Sequence, residues 1–261
     1  MKILLNGSEG YMGREVADLC ARGYRGAILA AGVDPAAVSG GEVPMYRNLS
    51  DIPDDEHFDC IVDFSHHTCT PELLDFAQER GIPAVIATTG HTEQELLSIE
   101  EASYKIPVFF SANMSVGIAL LLELAKKVAE AMPEAEIEII EKHHNRKLDA
   151  PSGTALMLAN SIKEVRPSAY ASCGRTGQGK RSPDEIGIHA IRMGNIVGEH
   201  EVIVGTSNQT ITLKHEAHSR ALFAEGALAA AAYICGKGEG LYDMKSLIKS
   251  SDEKTENTIG I

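Results

Sequence analysis

LLNGSEGYMGREV, from Leu4 to Val16, joins an apolar run to the start of a helical pattern through three glycines. Gly7, Gly10 and Gly13 are spaced G-x-x-G-x-x-G, and Glu9 sits where the dinucleotide fingerprint G-x-G-x-x-G has its second glycine. The physical demands of that fingerprint are still met. A tight turn follows a strand, the backbone can approach a ligand closely, and a helix N-terminus is aimed at an anion such as a pyrophosphate. Gly13 is assigned to helix–strand packing rather than to the ligand. Asp34 lies 21 residues beyond Gly13, at the end of the next apolar run, where a carboxylate accepts hydrogen bonds from an adenosine ribose. Pro35 follows it, not Arg or Lys, so a 2′-phosphate would face Asp34 without a cationic partner. The reading is a nicotinamide dinucleotide site, with NADH preferred and NADPH the alternative. The competing reading is a glycine turn in the same kind of fold with no dinucleotide.

Outward from this loop, short apolar runs alternate with helical patterns. Strands are expected at Lys2–Leu5, Ala27–Val33, Cys60–Phe64, Ala84–Ala87 and Val108–Phe110, and helices at Arg14–Ala21, Pro71–Arg80 and Glu93–Ser103. Runs rich in Ile, Val, Leu and Ala suit strands buried on both faces, so the alternation predicts a parallel sheet with helices on either side. After Asn113 the pattern changes. Val116–Ala131 reads as a long helix, apolar nearly all round and therefore buried, Glu136–Glu141 as a strand, and Ser152–Val165 as an amphipathic helix. Pro167–Glu185 reads as a long loop. Strands follow at Gly187–Met193, His200–Gly205 and Gln209–Glu216, the last with Ile211, Leu213 and His215 on one face and Thr210, Thr212 and Lys214 on the wetter one. Ala221–Cys235 is an Ala-rich helix that can return to the first domain, and the polar tail after Ser250 is expected to be loose. The fold class is α/β: a Rossmann-type parallel-sheet domain plus a second α+β domain with a mixed or antiparallel sheet. The expected division is 1–114 with 220–261 for the dinucleotide, and 115–219 for substrate binding and oligomerisation.

The 261 residues are 44% hydrophobic and 23% charged, an ordinary globular composition. A formal net charge of −13 disfavours nucleic-acid partners, which need a basic surface. The five cysteines, Cys20, Cys60, Cys69, Cys173 and Cys235, form no Cys-x-x-Cys pair, so a reducing compartment fits. The opening apolar run of three residues is too short for a signal-peptide core, and no stretch reaches the roughly 20 apolar residues of a membrane span. A cytoplasmic protein without membrane contact is expected.

Against that acidic background, EKHHNRKLDAPSGTA (Glu141–Ala155) gathers His143, His144, Arg146 and Lys147 ahead of a helix start. Ser152 is a suitable N-cap, and Gly153 and Thr154 then offer backbone N–H groups to an anion. The cluster reads as a receptor for a small anionic ligand, a carboxylate or phosphate, with proton donors at hand; the plainer reading is a solvated basic turn. A catalytic metal is disfavoured because no Asp/Glu–His spacing nearby completes a ligand set.

Together these stretches resemble the 4-hydroxy-tetrahydrodipicolinate reductase (dihydrodipicolinate reductase) family over nearly the whole chain. GSEGYMG resembles its nucleotide loop, ATTGH (Ala87–His91) its turn beside the nicotinamide, and SANMSVGI (Ser111–Ile118) its crossover between domains. EKHHNRKLDAPSGTA is the most specific match, with later similarity at Gly174–Gly177, Arg192–His200 and His215–Arg220. The resemblance implies reduction of a cyclic dicarboxylate by NAD(P)H with loss of water, in lysine and diaminopimelate biosynthesis. It implies His143 as proton donor or acceptor, Lys147 as proton donor, and His144, Gly153 and Thr154 as substrate-binding positions. The implied cofactor positions are Gly7, Ser8, Glu9, Gly10, Tyr11, Met12, Asp34, Ala87, Thr88, Thr89, Ser111, Ala112, Asn113 and Met114. A homotetramer, a cleft and domain closure are implied as well. The chain departs from the family pattern at Glu9, at Ala87 for glycine, at Ser111 for alanine and at Met114 for phenylalanine. His66 and His67 stand where some members carry an arginine for NADPH. Three readings compete: another two-domain NAD-dependent dehydrogenase of amino or keto acids; a catalytically dead NADH sensor, which would have no need of a proton donor; and, more weakly, a metal-dependent hydrolase.

Overall fold

The computed structural model describes residues 1–38 and 40–256, with side chains through Ser250. Backbone contacts divide the chain into two units, Met1–Val116 with the chain from Arg220 onward, and Gly117–Ser219.

In the first unit, β1 (Lys2–Asn6), β2 (Ile28–Val33), β3 (Met45–Tyr46), β4 (Cys60–Asp63), β5 (Ala84–Ile86) and β6 (Pro107–Phe110) are joined by β12 (Gly240–Tyr242). All pair in parallel, in the order β12-β6-β5-β4-β1-β2-β3. Helix α1 (Tyr11–Ala21) packs with α6 (Ala221–Ile234), and α2 (Thr70–Arg80) packs with α3 (Glu93–Ser103). Burial on both faces explains the unbroken apolar runs. Leu4, Ile61, Ile86 and Val108 pack with Leu73, Leu74, Ala77 and Ile99, while the alternate residues Ile3 and Leu5 point the other way and are equally buried. The strand order reverses at β1, which lies between β2 and β4, and this opens a crevice at the carboxyl ends, as in Rossmann-type sheets.

Local signals set the helix ends. Thr92 Oγ1 accepts the Glu95 N–H at 3.3 Å, while a Glu95 carboxylate oxygen accepts the Thr92 N–H at 2.6 Å, so α3 begins at Glu93. Helix α2 stops at Gly81, whose φ of +65° is the left-handed conformation that glycine adopts without strain. Helix α1 starts at Tyr11, three residues ahead of the expected Arg14, because the extended Gly10 serves as its N-cap. The strands β3 and β12 were not expected; at two and three residues they carry no readable period.

The second unit holds α4, which continues from Val116 to Ala131, then β7 (Glu136–His143), α5 (Gly153–Lys163), β8 (Tyr170–Cys173), β9 (Glu185–Arg192), β10 (Gly198–Gly205) and β11 (Thr210–Ala217). The sheet order is β11-β10-β7-β9-β8. It is mixed: β8, β9 and β7 run parallel, and β10 is antiparallel to both β7 and β11. Its inner face carries Ile137, Ile139, Ile186, Ile188, Val202 and Val204 against Ile118, Leu121, Ala125, Leu158 and Ile162. Its outer face carries ion pairs instead, Lys142 with Glu199 at 2.9 Å and Lys214 with Glu199 at 3.2 Å.

Two expectations need correction here. The stretch expected as one long loop contains the edge strand β8, whose YASC sequence is too short and polar to read as a strand. Helix α4 is not buried all round: Val116, Leu120 and Leu124, spaced one turn apart, are exposed. At the end of the chain, α7 (Met244–Glu256) carries the polar tail onward as helix, and the rest of that expectation lies outside the described residues. Among the described residues no helix is long and apolar enough to cross a membrane.

Candidate active site

In the first unit the loop after β1 is built on close backbone contact. Gly7 has φ +79°, donates its N–H to the Val33 carbonyl at 2.8 Å, and would place an added Cβ 2.6 Å from the Phe64 carbonyl oxygen. An added Cβ at Gly13 would overlap the Gly7 carbonyl and come within 2.7 Å of the Ser8 carbonyl oxygen. Gly13 therefore lets α1 sit directly on the loop. Gly10 gives the first turn of α1 no side-chain acceptor, and Ser8 Oγ is buried without a hydrogen-bond partner. Asp34 follows β2, its carboxylate accepting the Glu9 N–H at 3.1 Å and the Ala36 N–H at 2.9 Å. Glu9 turns toward Arg14 at 3.5 Å, and Tyr11 is exposed under the Arg220 guanidinium at 5.5 Å. A cradle that leaves no room for Cβ atoms, an uncapped helix start and an anchored carboxylate fit a dinucleotide.

A cavity of about 460 Å³ lies in the same unit, and Met12, Ala87, Thr88, Thr89, Ala112 and Met114 of the expected cofactor positions line it. Phe64, Ser65, His66, His67 and Phe223 complete its wall and were not among those positions. Gly7, Ser8, Glu9, Gly10, Tyr11 and Asp34 form the loop region instead. Ser111 and Asn113 make the turn at the cavity edge, Ser111 Oγ donating to the Asn113 carbonyl at 2.8 Å. Beneath the cavity lies a buried carboxylate that the sequence reading missed. Asp63 accepts from Asn6 Nδ2 at 2.8 Å, Ser65 Oγ at 2.6 Å and Thr88 Oγ1 at 2.7 Å. It thereby ties together the carboxyl ends of β1, β4 and β5.

The second unit's site grows from strand register. Glu141 and His143 are two apart on β7 and share its inner face. Arg192 of β9 pairs with His143, and His200 of β10 pairs with Glu141, so both join that face. The apolar strip of the sheet thus turns polar at one end. Glu141 is fully buried. One of its oxygens accepts from Arg192 Nη2 at 2.7 Å and the Ser152 N–H at 3.0 Å. The other accepts from Arg192 Nη1 at 2.8 Å and His143 Nδ1 at 2.6 Å. Burial alone would raise this carboxyl, but the Arg192 and His143 hydrogen bonds and the Ser152 N–H outweigh it and hold the group below the ordinary carboxylate range.

Ser152 also caps α5, its Oγ accepting the Ala155 N–H at 3.2 Å and lying 3.0 Å from His200 Nε2. Burial, aided by the neighbouring His143, lowers His200 to about 4, so it is neutral near pH 7. The His200 ring stands edge-on to His143 at 5.2 Å. Gly198 faces His143, where an added Cβ would lie 3.2 Å from Nε2.

Lys147 pairs with Asp149 at 2.8 Å, and this ammonium holds the Asp149 carboxyl below its usual range, with help from the Gly153 backbone. Gly153 and Thr154 are the first residues of α5, and His144 follows β7 half-buried, its carbonyl accepting the Lys147 N–H at 3.2 Å. Arg146, expected among the anion binders, is exposed and donates to Asn195 at 2.9 Å. Among the described residues no group of three His, Cys, Asp or Glu side chains could hold a metal ion. Glu141, Arg192 and His200 lie in stretches that carried the resemblance but were given no role in the site. The one local signal was Glu141, two residues before His143 on a strand.

Residues 1–114 match the family model for the N-terminus of dihydrodipicolinate reductase, and residues 117–248 the model for its C-terminus. The 4-hydroxy-tetrahydrodipicolinate reductase of Caldanaerobacter subterraneus subsp. tengcongensis is 46% identical over 95% of this chain and 98% of its own. That of Clostridium novyi is 43% identical over 96% and 99%. The solved structure of dipicolinate-bound dihydrodipicolinate reductase from Paenisporosarcina sp. TG-14 superposes with a TM-score of 0.78 at 26% identity, covering 93% of this chain and 97% of that one. A diaminopimelate dehydrogenase from C. glutamicum shares the fold alone, with a TM-score of 0.59 at 13% identity over 100% of this chain and 99% of its own. With both halves of the chain matched in order and the glycine loop and histidine site in place, this chain belongs to the dihydrodipicolinate reductase family.

Proposed function

We propose that this chain reduces 4-hydroxy-2,3,4,5-tetrahydrodipicolinate to tetrahydrodipicolinate with loss of water, in lysine and diaminopimelate biosynthesis, with NADH preferred over NADPH. The observation that carries the reading is His143, held through Nδ1 by a buried carboxylate, on the strand that leads into Lys147 and the start of α5. Gly7 to Met12, Asp34, Ala87 to Thr89 and Ser111 to Met114 hold the nicotinamide dinucleotide, which supplies the hydride when bound. Asp34, with no cation after it, receives the ribose hydroxyls and disfavours a 2′-phosphate.

The substrate carboxylates bind the N–H groups of Gly153 and Thr154 and the His144 imidazole, taking the place that Asp149 holds beside Lys147. One hydride and one proton enter as one water leaves. Lys147 donates the proton, and His143 gives or takes one at Nε2, since Nδ1–H is committed to Glu141. The chain works as a homotetramer assembled through the charged outer face of the second sheet, in the cytoplasm, where its five free cysteines stay reduced.

The test is nicotinamide oxidation with enzymatically generated hydroxytetrahydrodipicolinate, run in parallel with NADH and NADPH. Lys147→Ala should lower kcat by about 10²–10⁴-fold while NADH affinity, read by fluorescence, stays unchanged. An equal loss of both would give Lys147 a structural role, and wild-type protein inert with both cofactors would end the proposal. Light scattering on the purified protein reads the tetramer directly.

A further inference from the structure

We infer that Glu141 is a positioning residue: it fixes His143 as the Nδ1–H tautomer and so selects Nε2 as the nitrogen that exchanges a proton with the substrate. The inference rests on the reading of His143 as the proton-exchanging group and specifies how it is held.

Donors and acceptors around Glu141 decide the tautomer. Each Glu141 oxygen accepts two hydrogen bonds, from Arg192 Nη2 and the Ser152 N–H on one side, and from Arg192 Nη1 and His143 Nδ1 on the other. A guanidinium and a backbone N–H only donate, whereas a neutral imidazole nitrogen can do either. Of the groups around Glu141, only His143 has a choice, and an ionised carboxylate removes it. Burial works against ionisation, but Arg192, His143 and Ser152 together keep the carboxyl below its usual range. Among the described residues, titratable groups around this pair also include His200 of β10, Lys147, whose charge reaches His200, His215, paired with His200 from β11, and Asp149, whose charge reaches Arg192. His200 is neutral near pH 7, so it brings no cationic charge beside Glu141, and its Nε2 lies against Ser152 Oγ. Gly198 itself puts no side chain against Nε2, where an added Cβ would lie 3.2 Å away.

The same inventory says what Glu141→Gln does. A glutamine amide has one acceptor oxygen and one NH2 group. The Ser152 N–H cannot become an acceptor, so the amide oxygen must turn toward it and Arg192 Nη2. The NH2 group then faces Arg192 Nη1, which loses its acceptor, and His143 Nδ1, the one neighbour on that side that can accept and therefore must. His143 would switch to the Nε2–H tautomer and present a donor where the neutral wild-type ring presents an acceptor.

The experiment is long-range proton–nitrogen correlation NMR on protein labelled with ¹⁵N-histidine, above pH about 8, where ordinary imidazoles are neutral. His143 is assigned by its loss in His143→Gln. Wild type should show Nδ1–H at His143, and Glu141→Gln should show Nε2–H. Steady-state kinetics of Glu141→Gln should show kcat lower by about 10²–10⁴-fold, with KM changed only a few-fold, because Glu141 lies behind His143. A wild-type His143 carrying its proton on Nε2 would overturn the inference without any variant needing to fold. So would Glu141→Gln keeping Nδ1–H, or switching tautomer with unchanged kcat. Normal turnover by His143→Gln would instead overturn the proton-exchange reading of His143; the tautomer is read independently by the NMR.

Discussion

Acidification from pH about 7 to about 4 should cost the second unit about 3 kcal/mol through one side chain, His200. Burial against β7 and α5 lowers this imidazole to about 4, from an ordinary value of 6.5. Between those values the unfolded chain binds a proton that the folded chain refuses. Unfolding is therefore linked to proton uptake, and stability falls as pH falls through that window. At about 1.4 kcal/mol per pH unit, the gap gives the stated loss once pH about 4 is reached. Glu141 also weakens the fold in acid, but lower, because its carboxyl titrates below the ordinary range. His91 and His215 are lowered by burial too and add to the wild-type slope. His200→Gln isolates the effect, since glutamine can keep a hydrogen bond to Ser152 Oγ and does not titrate. Urea unfolding followed by circular dichroism, at half-unit pH steps, should show the two proteins converging or crossing as pH falls, the wild type losing stability more steeply. Parallel curves between pH about 6.5 and about 4 would refute the argument.

Three substitutions probe the rest. Gly13→Ala places a methyl group against the Gly7 and Ser8 carbonyls, so NADH affinity by fluorescence titration should fall by 10-fold or more, as a rough scale for a displaced contact surface. Asp34→Ala should weaken NADH more than NADPH in the same titration; no change in either would remove Asp34 from the ribose. Gly198→Ala puts a Cβ 3.2 Å from His143 Nε2, and the ring, tied to Glu141 on its other side, has little freedom to move away. Its kcat should drop with the circular dichroism spectrum unchanged; unaltered kcat would mean that the ring yields.

Much of this molecule was readable from nearest neighbours along the chain. The apolar run from Lys2, the glycines after it and the acidic residue closing the second strand together announce a parallel sheet with a ligand loop, because period and turn chemistry act over a few residues. The start of α3 at Glu93 and the cap at Ser152 are equally local, each set by a side chain three residues from the N–H it satisfies. Short elements escaped: β3, β8 and β12 exist because a neighbouring strand offers an edge, and their own sequences hardly ask for them. Glu141 marks the boundary most clearly. Its position beside His143 is visible in the chain, but its hydrogen-bonded partner Arg192 is 51 residues away. That guanidinium reaches the carboxylate because β9 pairs with β7 in a register that sets Arg192 opposite His143. A slip of one residue would turn it to the outer face, since side chains alternate along a strand. Composition and spacing can therefore propose a histidine, a lysine and an anion, whereas the tautomer of that histidine depends on which strands lie side by side.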